Sequence, residues 1–360
     1  MSALTTFLKE NRHRLPTIAL VGGFFVDIIT FRTLNLVYAQ MLLAIHLFIV
    51  AVSTIILALP IRGSTAFTRT AKMWVPIAQQ YSLGNLLSAF LILYSASGSL
   101  AASWPFFTLL AIAIIGNETL HTQKRRLPFT TSLLFLNLLL FSALAFPMFA
   151  GSISVATFLV SLVIASVVFQ FFRFALRFAA REAFMKNRHA INRSAVAVLV
   201  VVTTLYFTNL IPPIPLALKS AEFYHAVERV GDTYFVTDEE RSFLERFFDL
   251  FGMELRLAEG EDAYIFTAVF APARIDTNVV HRWQYRASSA EPWRTEHVTQ
   301  FPISGGRSEG YRGFSATEDP LPGEWRVSVE TTRGQIIGRA YLTVTRVAVP
   351  VSTEQVALED

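Results

Sequence analysis

The chain has no cysteine at any of its 360 positions, which excludes disulfides, thiolate metal centres, a cysteine nucleophile and acylation at cysteine. Charge is scarce too: 16% of residues are charged and 53% are hydrophobic, which is too apolar for one soluble domain of this length. Acidic residues are almost missing from one half. Up to Lys219, 17 Lys+Arg stand against 4 Asp+Glu, a net of +13; from Ser220 onward 14 stand against 23, a net of −9, and together these give the +4 of the whole chain. The basic balance therefore describes loops at a membrane surface rather than a nucleic-acid patch. The sequence has no H-E-x-x-H pair, phosphate loop or nucleophile-base pattern, and His225, His281 and His297 are scattered singly, so no cofactor, metal or catalytic group is expected.

What is present is a strict placement of charge. Basic clusters fall at Lys9 to Arg14, Arg62 to Lys72, Lys124 to Arg126 and Arg173 to Arg193, whereas the turns near Ser95 to Ser103 and Pro147 to Ser152 carry none. A helix crossing the hydrocarbon needs ~20 apolar residues. The charge-free runs then divide into Pro16 to Phe31, Leu34 to Pro60, two helices in Met73 to Asn117 turning at Ser95 to Ser99, two in Leu127 to Phe172 turning near Pro147 and Gly151, and Ser194 to Leu218. The first run lacks a small-x-small exit and passes Asp27 and Arg32 into the second, so it reads as a retained helix rather than a cleaved signal. Seven spans with basic loops inside put the amino terminus in the cytoplasm and the acidic half outside.

The expected organisation is a cytoplasmic segment 1–15, a seven-helix membrane bundle 16–218, a linker with an amphipathic helix 219–262, an all-β antiparallel sandwich 263–348 and a tail 349–360. Ile211-Pro212-Pro213-Ile214-Pro215 marks the boundary, because successive prolines cannot continue a helix. Thr237-Asp238-Glu239-Glu240 reads as a capping box opening the short helix, with Phe243, Leu244, Phe247, Phe248 and Phe251 as its apolar stripe. From Ala263 the period changes to two, in runs 264–269, 279–285, 297–303, 311–315, 325–329 and 335–344 separated by turn residues, which predicts about six or seven antiparallel strands.

Several residues stand out as candidates. Asp27 lies roughly 16 Å above the inner edge, counted from Pro16, and His46 roughly 21 Å, counted from Pro60, so a carboxylate and an imidazole fall near one depth. They suit a proton or cation relay; a structural pair, with Arg32 as a second partner for Asp27, is the other reading. Arg173, Arg177 and Arg181 recur every four residues, followed by Lys186, Arg188 and Arg193 with phenylalanines between. That pattern predicts an amphipathic extension of the sixth helix in the anionic headgroup layer, not a nucleic-acid site. Trp293, in Ala290-Glu291-Pro292-Trp293-Arg294, belongs to a loop and is either an exposed surface for a sugar ring or partner, or buried.

His281-Arg282-Trp283, Gly310 to Ser315, Pro322 to Val329, Gly334, and Ile337-Gly338-Arg339 through Leu342-Thr343-Val344 together resemble the bacterial family catalogued as domain of unknown function 2914. The resemblance covers the carboxy-terminal strands and none of the helices. It implies a sandwich, sometimes behind membrane spans, and carries no assigned activity or functional residue. The leading expectation is a non-enzymatic inner-membrane protein of a Gram-negative-type bacterium, whose exported sandwich binds an envelope protein, glycan or lipid-linked molecule and whose bundle anchors or couples it. A transporter or lipid-handling protein using Asp27 and His46 is the alternative, and a membrane enzyme the third.

Overall fold

The structure, a computed structural model, describes residues 36–60, 66–119, 126–231, 233–239, 253–272, 275–304 and 310–358. The chain divides into two compact units: one holds the helices, and the other comprises Ile211–Asp360 together with the turns Ala96–Ala102 and Gly151–Ile153.

Among the described residues the helical unit has α1 (Leu36–Ala58), α2 (Ala66–Ala96), α3 (Trp104–Thr119), α4 (Arg126–Ala150), α5 (Val155–Ala179) and α6 (Arg181–Phe207). Four of these, α1, α4, α5 and α6, are long and apolar enough to cross a membrane. The expected first span, Pro16 to Phe31, lies outside the described residues, so six helices are seen rather than seven. The two uncharged turns fall where expected, with one correction. Pro147 lies inside α4, and the turn comes at Gly151, whose φ of +68° is the left-handed conformation that ends helices. Ser154 then caps α5: its hydroxyl accepts from the Thr157 amide, and the Thr157 hydroxyl accepts from the Ser154 amide.

α4 is the central helix. Buried residues make up 67% of its apolar window, against 33% in α5 and 22% in α6, so α5 and α6 turn most of their apolar surface outward. Phe171, Phe174 and Phe178 are exposed on α5, as a helix facing hydrocarbon requires.

The last span departs from its expected limits. It starts at Arg181 rather than Ser194 and ends at Phe207, and Asn209, at φ +57°, turns the chain before the prolines. No amphipathic helix lies apart from the bundle at Arg173 to Arg193. The break comes instead at Ala180, whose φ of −129° and ψ of 56° separate α5 from α6, so the basic residues divide between the adjoining ends of two helices long and apolar enough to cross a membrane. A helix of 27 residues is about 40 Å long, about 10 Å more than the hydrocarbon is thick, so the basic turns project beyond it.

Among the described residues the second unit has eleven strands: β1 (Ala217–Tyr224), β2 (Ala226–Val230), β3 (Thr233–Glu239), β4 (Met253–Leu257), β5 (Ala263–Phe270), β6 (Asp276–Arg286), β7 (Arg294–Ser304), β8 (Tyr311–Thr317), β9 (Gly323–Thr331), β10 (Ile336–Arg346) and β11 (Thr353–Leu358). They form three sheets, β1-β5-β8, β4-β10-β9-β6-β7 and β11-β3-β2. β5 to β10 are the six strands expected from alternation.

Three corrections follow. The stretch expected as linker and helix holds β1 to β4, the tail holds β11, and β4 runs parallel to β10 in sheets otherwise antiparallel. Thr237, the expected N-cap, opens no helix, since Asp238 and Glu239 after it are strand, and Glu240, its expected capping-box partner, lies outside the described residues. Thr237 and Glu239 both lie in β3, paired to β11 and, for Thr237, to β2, and the rest of the expected helix lies outside the described residues. Glu239 is 1% exposed. It accepts from the Arg256 amide (2.8 Å), Nε (3.0 Å) and Nη2 (2.8 Å) and stands 3.2 Å from His225 Nε2. A buried carboxylate held by charge-assisted bonds from a neighbouring strand outweighs a local capping preference.

The first two sheets share one apolar core. Phe223 of β1 and Ile265 of β5 meet Leu255 and Leu257 of β4, Trp283 of β6, Trp325 and Val327 of β9, and Leu342 and Val344 of β10. Glycine permits a close approach here: a Cβ on Gly313 of β8 would collide with the ring of Phe301 in β7. A polar cluster crosses this core. His281 Nδ1 is 2.9 Å from Ser315 Oγ, which also accepts from Trp283 Nε1 at 2.9 Å, and His281 Nε2 is 3.0 Å from Thr267 Oγ1, which donates to the Gly313 carbonyl at 3.3 Å. Indole only donates, so the Ser315 proton points to Nδ1 and the imidazole proton sits on Nε2, pointing to Thr267. Every group is satisfied with the ring neutral. Burial accordingly pushes His281 down to about 3.

The boundary of this unit at Ile211 makes a prediction. A fragment Ile211–Asp360 should melt cooperatively by circular dichroism, whereas one starting at Ser220, which cuts into β1 beside β5, should melt at lower temperature. Equal melting of the two would mean that the first residues of β1 do not contribute.

Candidate functional site

Alternation places the candidate site on the outward face of the five-stranded sheet. Trp283, Trp325, Val327, Val329, Leu342 and Val344 point into the core, so their neighbours Arg282, Gln284 and Arg286 of β6, Arg326, Ser328 and Glu330 of β9, and Arg339 and Tyr341 of β10 point away from it. Register lines them up across the strands as Gln284, Arg326 and Tyr341 in one row and Arg282, Ser328 and Arg339 in the next.

The arginines differ in what neutralises them. Arg282 Nε donates to Glu330 Oε2 at 3.1 Å and Arg286 Nε to Glu324 Oε2 at 2.7 Å. Arg326 reaches neutral acceptors, Gln284 Oε1 from Nε at 3.0 Å and Nη2 at 2.8 Å and the Tyr341 side chain, and Arg339 reaches Ser328 Oγ at 3.4 Å. Among the described residues no carboxylate pairs with Arg326 or Arg339. Burial, then the nearby positive charges of Arg339 and Arg286, lower the pKa of Arg326. Four arginines and two glutamates give this patch a local net of +2 inside a half whose net is −9. A positive patch on an acidic domain attracts anions against the field of the whole.

Trp293 joins this face. The guanidinium carbons of Arg286 and Arg326 stand 4.4 and 4.5 Å from its ring centroid, and the Tyr341 ring lies 6.4 Å away. Cation-π attraction of this kind is worth about 0.5–2 kcal/mol and holds two like charges side by side. Trp293 is half-buried, so its role shifts from open stacking platform to orienting the arginines. Sequence reading missed Arg286, Arg326, Arg339 and Tyr341. Their alternate positions marked them as outward, but which of them lacks an acid depends on register with strands forty to sixty residues away.

The other sequence candidates lie elsewhere. Asp27 is outside the described residues. His46 of α1 faces α2, with Nδ1 3.2 Å from Ser82 Oγ, Nε2 3.5 Å from Asn85 Nδ2 and its ring 5.9 Å from that of Tyr81. Gln79 continues the same stripe by donating to Thr54 at 2.8 Å. Arg173 and Arg177 lie on α5, and Arg181, Lys186 and Arg188 on α6. Among the described residues no cluster of three His, Asp or Glu could hold a metal ion.

Residues 276–344 match the family model described as "Protein of unknown function (DUF2914)". The carboxy-terminal domain resembles that family. The match covers β6 to β9 and nearly all of β10, so it contains the whole arginine face. A comparison with curated proteins finds no match.

Proposed function

We propose that this chain is a multi-pass protein of a bacterial inner membrane, with seven spans and a cytoplasmic amino terminus. Its exported strand domain, a β-sandwich in our reading, captures an anionic component of the envelope, and its bundle anchors or couples that domain. The observation that carries the binding role is Arg326: a half-buried cation with neutral partners, beside Arg339 and Arg286 and braced by Trp293. A carboxylate or phosphate, as on an acidic glycan, a lipid-linked sugar or a protein side chain, would offset that repulsion with bidentate charge-assisted bonds. The orientation is supported by the basic clusters falling in alternate gaps.

A transport role through Asp27 and His46 is the second reading, favoured by the uncharged polar stripe His46, Ser82, Asn85, Gln79 and Thr54 between α1 and α2. The binding role is tested with the intact protein in detergent, using immobilised alginate as a polycarboxylate probe and dextran as its neutral counterpart. Arg326→Gln with Arg339→Gln should weaken alginate binding about 100-fold, which corresponds to roughly 3 kcal/mol for two lost charge-assisted contacts, and leave dextran unchanged. Full retention by the double variant would remove the arginine face from the account.

A further inference from the structure

The helical unit carries a second feature, independent of the strand domain. α5 and α6 both pack chiefly on α4 and only sparsely on each other, so they leave a groove between them of about 780 Å³. Leu159, Val163, Val167 and Phe171 of α5 form one wall, and Leu199 and Thr203 of α6 the other. From Leu159 to Phe174 the groove follows α5 for about 22 Å, more than the ~15 Å depth of one leaflet. Its two ends differ in charge. Near Leu159 and Thr203 the wall carries none, whereas the far end meets Gln170 and Arg173.

Arg173 closes that end. Its Nη1 donates to Gln170 Oε1 at 2.8 Å and its Nη2 to Asn192 Oδ1 at 2.6 Å, joining α5 to α6 through two neutral acceptors. Its Nε is buried and has no hydrogen-bond partner among the described residues. Around it Arg177, Arg181, Lys186 and Arg188 are exposed, and over 173–193 six basic residues face one acid, Glu182. An apolar channel of leaflet depth that ends at an arginine without a carboxylate is complementary to a long acyl chain carrying a negative headgroup.

We propose that the α5–α6 groove binds an anionic phospholipid of the surrounding bilayer, with an acyl chain along Val163 and Val167 and its phosphate at Arg173. This is a bound lipid in one place, distinct from the diffuse attraction of basic loops for an anionic surface. The groove fixes where the chain lies, and Arg173 selects the headgroup.

The test uses the delipidated full-length protein in detergent, titrated with dioleoylphosphatidylglycerol or dioleoylphosphatidylcholine and read by native mass spectrometry. Phosphatidylglycerol should bind more tightly. Arg173→Gln should weaken it about fivefold, the share of one basic contact, and leave phosphatidylcholine unchanged, while Arg188→Gln, at an exposed position away from the groove, should change neither. Val163→Trp, which fills the groove from an outward position, should lower both lipids, and Thr203→Trp should do the same from the opposite wall. Equal affinity for the two lipids, an Arg188→Gln loss as large as that of Arg173→Gln, or wild-type binding in both tryptophan variants would overturn the proposal.

Discussion

Replacing His281 by alanine is expected to lower the unfolding free energy by about 3–5 kcal/mol, through the cavity left by the ring and the loss of partners for Ser315 and Thr267. The ring is fully buried and joins β6 to β5 and β8, so little of the lost contact can be regained by water. The same residue gives the wild type a specific acid sensitivity. The unfolded chain takes up a proton at His281 near its ordinary value of 6.5, whereas the folded chain resists until about 3. Between these values the unfolded state binds the extra proton, so this contribution to stability is intact above 6.5 and is lost as pH falls, at about 1.4 kcal/mol per unit. Melting of the intact protein at pH 7 and pH 4.5, followed by tryptophan fluorescence, should show a steeper acid loss in wild type than in His281→Ala. Parallel pH profiles would mean that His281 is not held neutral in the core.

The strands expected from alternation were legible because a half-buried strand writes its two faces into its own sequence. Trp325, Val327 and Val329 point into the core, and Arg326 and Ser328 point to the opposite face, where Arg326 is half-buried and Ser328 buried. β1, β4 and β11 were not, since their places depend on partners far along the chain: Ala217 of β1 pairs with Phe270 of β5, Met253 of β4 with Leu342 of β10 and Thr353 of β11 with Glu239 of β3. Thr237 to Glu239 carries a local helix signal that pairing to β11 and the clamp from Arg256 override. The break at Ala180 has no glycine or proline to announce it, so the basic run from Arg173 read as one helix. Trp293 was legible as a special residue but not its role, because the two arginines beside it come from β6 and β9. The buried ring of His281 looked like one lone histidine among three, and only the fold supplies Thr267 and Ser315 as its partners.

Everything proposed for the arginine face depends on its side of the membrane. Alkaline phosphatase, which folds only where its disulfides form, reports that side directly. Fusion after Asp360 keeps the full chain, and fusion after Ala180 ends it at the junction between α5 and α6, beside Arg173 and Arg177. The account predicts high phosphatase activity for the fusion after Asp360 and background activity after Ala180, with a cytoplasm-active reporter giving the reverse at both sites. An inactive phosphatase after Asp360 together with an active one after Ala180 would contradict it, since the strand domain and its arginines would then face the cytoplasm.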